Sequence, residues 1–259
     1  PSKKLQGEKE RLNIENLSVL VMGKFNAGKS AMMNALFGQK FLGDAPVPKT
    51  AVIAEISYSE QEDITLYPKK GKWKDGDQPF KCKKEDLDKY TSIDHSADDN
   101  WETPFDKVVI KYPLDFCKNG IMLVDSPGLD DPTSNDRITK EYLPKADTII
   151  YCMSSAQAYS AVDADQISIL RSSGYTSIIF VITYWDVIKN NDELTGSNGA
   201  EELSKYLTDI LSPLTDLGKE GIFFVSSIDA LIGKMNNNQE LLKSSGILEI
   251  EAKAEKILA

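Results

Sequence analysis

Apolar, β-branched runs of strand length alternate along this chain with amphipathic stretches of helix length. The apolar runs predict strands at Ser18–Met22, Ala51–Tyr58, Ile64–Tyr67, Lys107–Tyr112, Ile121–Asp125, Thr148–Met153, Ser177–Thr183 and Gly221–Ser226. The amphipathic stretches predict helices at Lys29–Phe37, Ser134–Leu143, Ala161–Ser172, Gly199–Leu211 and Ile247–Leu258. Such alternation predicts an α/β fold, a mainly parallel central sheet flanked by helices, with one domain holding nearly everything.

Two parts stand aside from that pattern. Residues 69–104 are polar and charged, with Lys69-Lys-Gly-Lys-Trp-Lys74 followed by an acidic stretch, and are expected as an insertion after the second or third strand. The lysine run is either a solvated face or a contact surface. The other part is a pair of terminal helices, Ser2–Asn13 within residues 1–16 and Ile247–Ala259 within residues 246–259, enclosing a main domain over 17–245. Neither has a stop signal before the chain end, so this is expected to be a domain of a longer protein.

Composition narrows the function classes. With 259 residues, 41% hydrophobic and 27% charged, the chain is an ordinary globular one. Its 30 Lys+Arg against 40 Asp+Glu give a net charge of −10, which argues against nucleic acid as a partner. Cys82, Cys117 and Cys152 are widely separated and form neither a disulfide framework nor a metal spacing. That fits a reducing compartment, so the expected location is cytoplasmic. The single histidine, His95, lies in a polar stretch and is expected to be solvated, which excludes a His-dependent triad or a zinc site.

The candidate chemistry begins at Gly23-Lys-Phe-Asn-Ala-Gly-Lys-Ser30, which matches the P-loop pattern between a predicted strand and a predicted helix. Gly23, Lys24, Asn26, Ala27, Gly28, Lys29, Ser30 and Ala31 are the expected nucleotide-binding set around the phosphates. Lys29 would reach the β and γ phosphates and Ser30 would ligate magnesium. Ile121-Met-Leu-Val-Asp125-Ser-Pro-Gly128 is a strand ending in an Asp and a turn. Asp125 suits magnesium binding through water, and the Gly128 N–H suits a γ-phosphate contact. Between the two motifs, Thr50 of Pro46-Val-Pro-Lys-Thr50 is placed to close over magnesium and γ-phosphate, or simply to start a strand.

Base recognition is expected at Thr183-Tyr-Trp-Asp186, where the Asp186 carboxylate can accept from guanine N1–H and its exocyclic amine together. A competing role for Asp186 is to cap the next helix. Tyr184 stands where a base-packing lysine is usual and could stack instead. Ser226 and Ser227 follow the last strand and would lie over the base.

In this order and spacing the five elements resemble the GTPase domain of the dynamin superfamily, with the nearest likeness to bacterial dynamin-like and mitofusin-type proteins. "GKFNAGKSAMMNALFG", "GIMLVDSPGLDD" and "EYLPKADTIIYCMSS" carry the likeness most specifically. The resemblance implies a P-loop GTPase fold, hydrolysis of GTP to GDP and phosphate with Mg2+, and a nucleotide-dependent homodimer, or heterodimer with a related protein, across the nucleotide face. It also implies coupling through the terminal helices to a membrane-remodelling stalk that is not in this chain. Gln just after the Asp-x-x-Gly turn orients water in Ras-type enzymes, but here Leu129 stands there. Dynamins place a Gln third in the loop, where this chain has Phe25. By resemblance, Asn26 would help hold K+ beside the phosphates and contribute to catalysis, or else is an ordinary loop residue. Lys24 is a candidate for an added positive charge. Two other functions remain, a GTP-binding switch or assembly module with negligible turnover, and a P-loop ATPase or kinase, against which Asp186 argues.

Overall fold

Alternate residues of the apolar runs go to opposite faces of one sheet. The computed structural model describes residues 17–42, 52–91, 103–126, 141–190 and 198–258. Its strands are β1 (Leu17–Met22), β2 (Ile53–Tyr58), β3 (Asp63–Pro68), β4 (Phe80–Cys82), β5 (Phe105–Tyr112), β6 (Ile121–Asp125), β7 (Thr148–Ser154), β8 (Ile178–Thr183) and β9 (Ile222–Phe224). They form a nine-stranded sheet in the order β4-β3-β5-β2-β6-β1-β7-β8-β9. The pairs β1–β6, β1–β7, β7–β8, β8–β9 and β2–β5 are parallel, while β2–β6, β3–β5 and β3–β4 are antiparallel.

The helices are α1 (Lys29–Phe37), α2 (Lys84–Thr91), α3 (Ala161–Ser172), α4 (Trp185–Lys189), α5 (Gly199–Leu211), α6 (Ser227–Met235), α7 (Gln239–Ser244) and α8 (Ile247–Leu258). On one face of the sheet Val19, Val21, Ile150, Cys152, Ile179 and Val181 share a core with Met32, Met33 and Leu36 of α1, Ala230 of α6, and Ile247 and Ile250 of α8. On the other, Leu20, Met22, Tyr151, Met153, Phe180 and Ile182 share a core with Ile167 and Leu170 of α3 and Leu207 and Leu211 of α5. Burial on both faces is why these central strands read as continuous apolar runs. Each such side chain contributes roughly 1.5–3 kcal/mol.

Helix α1 is buried on nearly every side, which is why its sequence lacks a clean polar stripe. Its one buried amide is satisfied. Asn34 donates to Leu42 O at 2.8 Å and accepts from the N–H groups of Phe41 and Leu42, each at 2.8 Å. The chain leaving the P-loop helix is thereby held in a fixed turn.

The segment expected as an insertion leaves after β3, and its ends meet where Lys69 N–H donates to Pro104 O at 2.8 Å. Within it, β4 extends the sheet and α2 follows, neither of which the sequence pattern predicts. Trp73, in the middle of the lysine run, packs on Phe80, Tyr90 and Phe105 with ring centroids 4.8–6.0 Å away. So the lysines surround an aromatic anchor.

The predicted strands all match within about two residues at each end, Gly221–Ser226 among them as the shorter β9. Helices α4, α6 and α7 were not expected. Residues 127–140 lie outside the described residues and with them most of the expected helix Ser134–Leu143; Leu143–Lys145 is a short 3-10 turn. The expected N-terminal helix and His95 also lie outside. Among the described residues, no helix is long and apolar enough to cross a membrane.

Candidate nucleotide site

At the C-terminal end of β1 the backbone passes so close to β7 that a Cβ at Gly23, where φ is 145°, would sit 2.3 Å from Cys152 O. A second close approach follows at Gly28, where φ is 76° and a Cβ would lie 2.8 Å from Thr183 Oγ1. Only glycine fits either place. Between them Asn26, exposed at the apex, is also left-handed at φ 59°, a conformation asparagine tolerates better than most residues.

The loop ends in α1, whose first intrahelical bond runs from Met32 N–H to Gly28 O at 2.9 Å. No side chain caps this helix at Gly28. Its first-turn amides and the positive end of its dipole are therefore offered to an anion. Ser30 and Ala31, both half-buried, belong to that turn. Lys29, 8% exposed, donates from Nζ to Gly23 O and to Lys24 O, each at 2.9 Å. Its ammonium thus rests on the loop's own carbonyls.

Thr183, at the end of β8, donates from Oγ1 to Ala27 O at 2.8 Å and lies 3.2 Å from Met153 O. The hydroxyl braces the P-loop. Across the sheet from β8, past β7 and β1, Asp125 ends β6 at 1% exposure, and neither carboxylate oxygen has a hydrogen-bond partner among the described residues. Burial pushes its pKa up from 3.8 to about 6, against the opposing pull of the Lys29 ammonium. The next residue is satisfied, since Ser126 Oγ donates to Val21 O at 2.8 Å.

A magnesium ion fits this donor set. Mg2+ keeps several waters and takes one or two protein oxygens together with substrate phosphates, rather than a protein cage. Among the described residues no group of three or more His, Cys, Asp or Glu could hold a metal, whereas a lone unpaired buried carboxylate is what a hydrated cation would satisfy.

The two turns expected to read the base lie side by side. Trp185 N–H donates to Val225 O at 3.1 Å, and the Trp185 and Phe224 rings are 4.6 Å apart. Tyr184 is exposed and left-handed at φ 55°, with its carbonyl held by Ser155 Oγ at 3.0 Å. Asp186, half-buried, sits in the first turn of α4. Of the two serines, Ser226 is committed locally, since its Oγ caps α6 by accepting from Asp229 N–H at 3.2 Å. Ser227 Oγ is buried with no partner among the described residues. The structure therefore distinguishes two serines that the sequence leaves equivalent.

Thr50, Gly128 and Leu129 lie outside the described residues. Lys24 is unlike the rest of the loop, because its Nζ donates to Ser160 Oγ at 2.9 Å and lies 3.4 Å from Asp163 Oδ2. Neither Ser160 nor Asp163 stands out in the motif search. The pattern Ser160-Ala-Val-Asp163, a capping box ahead of α3, is the signal that marks them.

A P-loop following β1 of a mainly parallel sheet, with a buried Asp that has no partner among the described residues at the end of the adjoining parallel strand β6, defines the P-loop GTPase fold. A description of the dynamin family matches residues 19–185, well over half the chain. The chain belongs to the dynamin family. It is similar to dynamin-like protein 1 of Campylobacter jejuni, 29% identical over 96% of this chain and 38% of that protein. It is also similar to the bacterial dynamin-like protein of Nostoc punctiforme, 26% identical over 88% of this chain and 35% of that one. A solved chain from an oligomerised bacterial dynamin pair, described as a mechanism for long-range sensing and tethering of membranes, gives a TM-score of 0.68 at 27% identity, over 97% of this chain and 39% of its own. The chain thus spans well under half the length of these relatives.

Proposed function

We propose that this chain binds GTP with magnesium and hydrolyses it to GDP and phosphate, and that the cycle drives membrane remodelling through parts of the protein beyond this chain. The observation that carries this is the uncapped start of α1 with its buried lysine, placed against the unpaired Asp125. In the proposed mechanism the first-turn N–H groups of α1 and the loop hold the phosphates. Lys29, its ammonium held over the loop by the carbonyls of Gly23 and Lys24, reaches the β and γ phosphate oxygens. Ser30 and Asp125, the latter through water, would hold magnesium, and Thr50 and the Gly128 N–H would serve the γ-phosphate side. Magnesium supplies charge neutralisation on the transferring phosphoryl group.

Asp186 reads guanine, with Ser227 the free hydroxyl on the adjoining turn and Tyr184 against the base. Thr183 acts from behind, through Ala27. Pairing of two domains across this face completes the site, and the likeness to a bacterial dynamin pair supports either a homodimer or a heterodimer. Asn26, exposed at the loop apex, would take K+ there. Turnover per molecule measured against protein concentration tests this part. A rise with concentration in potassium but not in sodium is expected, and flat activity in both salts removes the dimer and the cation together.

A GTP-binding switch with negligible hydrolysis is the second reading. It is favoured by Phe25 and Leu129, neither of which can orient a water. Steady-state phosphate release separates the two.

A further inference from the structure

Asp163 is fully buried, and a carboxylate in that position needs several partners. It has them. Its Oδ1 accepts from Tyr151 OH at 3.3 Å, while Oδ2 accepts from Ser160 N–H at 2.9 Å and Ser160 Oγ–H at 2.7 Å, with the Lys24 ammonium 3.4 Å away. Lys24 itself keeps only 16% of its side chain exposed.

The capping box of α3 is complete without Lys24, because Ser160 and Asp163 satisfy one another's backbone N–H groups. A cation at a helix N-terminus also opposes the helix dipole. So the lysine adds nothing to the cap, and sits where the helix alone disfavours it. Its effect falls on the other end of the side chain, in the P-loop. The carbonyl of Lys24 is one of the two on which Lys29 rests. Tyr159, next to Ser160, is left-handed at φ 56°, and a bulky residue keeps that conformation only where its surroundings hold it.

We infer that Tyr151, Asp163, Ser160 and Lys24 form a positioning network for the phosphate cradle, tying the first limb of the loop to α3 and fixing the carbonyl seat of Lys29. This rests on the nucleotide-binding function proposed above and assigns to the network side chains whose polar ends meet one another. A buried ion pair of this kind contributes little net stability, but it does fix geometry. Removing one partner alone also leaves a buried charge unpaired and lowers the melting temperature, so nucleotide affinity is the readout of positioning and unfolding the readout of stability.

The test measures dissociation constants for fluorescent GDP and a non-hydrolysable GTP analogue in magnesium, with thermal unfolding alongside, for wild type, Lys24→Met, Lys24→Arg, Asp163→Asn and the double variant Lys24→Met/Asp163→Asn. Losing a charge-assisted hydrogen bond should weaken both nucleotides about tenfold in Lys24→Met and in Asp163→Asn. Lys24→Arg should return affinity to within about threefold of wild type, and the double variant should be no worse than the weaker single, as expected within one network. Wild-type affinity in Lys24→Met overturns the network's role whatever its melting temperature. If Asp163→Asn fails to fold, the Met and Arg variants at Lys24 decide alone. Wild-type protein that binds neither nucleotide overturns the functional proposal itself, and the network's role with it.

Discussion

The hydroxyl of Thr183 donates to the carbonyl of Ala27 across 156 positions of sequence, so the end of β8 holds the P-loop in place. Thr183→Val keeps the shape and removes the donor, leaving the buried Ala27 carbonyl unpaired. A loss of about 1–3 kcal/mol in unfolding free energy is expected. GTP affinity should fall as well, measured by titration beside urea unfolding. An unchanged affinity would mean the loop keeps its conformation unaided.

The same side chain limits Gly28. A methyl there meets Thr183 Oγ1 at 2.8 Å and Cβ at 2.9 Å, and φ is 76°. Gly28→Ala should therefore abolish detectable nucleotide binding while leaving the far side of the sheet intact. Adding Thr183→Ser to Gly28→Ala removes one methyl but neither of the two close atoms, so it should not restore binding. Recovery in that double variant would place the obstacle at the Thr183 methyl, 3.2 Å away, and not at its hydroxyl or Cβ.

Asp125 gives a pH signature in the metal-free protein. Folded, it keeps its proton up to about pH 6, whereas in the unfolded chain it has the usual value of 3.8. Between those values the folded state binds more protons than the unfolded one, so this group's contribution to stability falls as pH rises through the window and is level above it. The total is at most roughly 3 kcal/mol. Urea unfolding of wild type and Asp125→Asn across that range should show the variant gaining on wild type as pH rises. A constant difference would contradict the buried, unpaired carboxylate.

Base reading is tested by inosine triphosphate, which lacks the exocyclic amine. If Asp186 accepts from N1–H and that amine together, GTP should bind about tenfold tighter than the inosine nucleotide. In Asp186→Ala the two should bind alike. Equal binding by wild type would leave Asp186 only as a negative charge in the first turn of α4.

Much of this arrangement is legible in the sequence because its signals are local. The apolar runs give the central strands, and Gly23 to Ser30 carries the cradle within eight residues. What escapes the sequence depends on partners brought together by folding. Ser226 and Ser227 look alike until one is spent on the cap of α6 and the other is left buried with no partner among the described residues. Trp73 reads as part of a solvated lysine run until β4 and α2 bring Phe80 and Tyr90 to it. Lys24 reads as a loose positive charge, yet its partner Ser160 is 136 positions away. Helix α6 escaped notice because its cap lies inside a segment whose apolar run suggests a longer strand.

Steady-state phosphate release from GTP in magnesium and potassium, comparing wild type with Lys29→Ala at high protein concentration, tests the central claim most directly. Wild-type release at least about a hundredfold above the variant is predicted, since Lys29 supplies the charge that stabilises the transferring phosphoryl group. Release no faster than that of Lys29→Ala would contradict the GTPase account and leave a nucleotide-binding module without turnover.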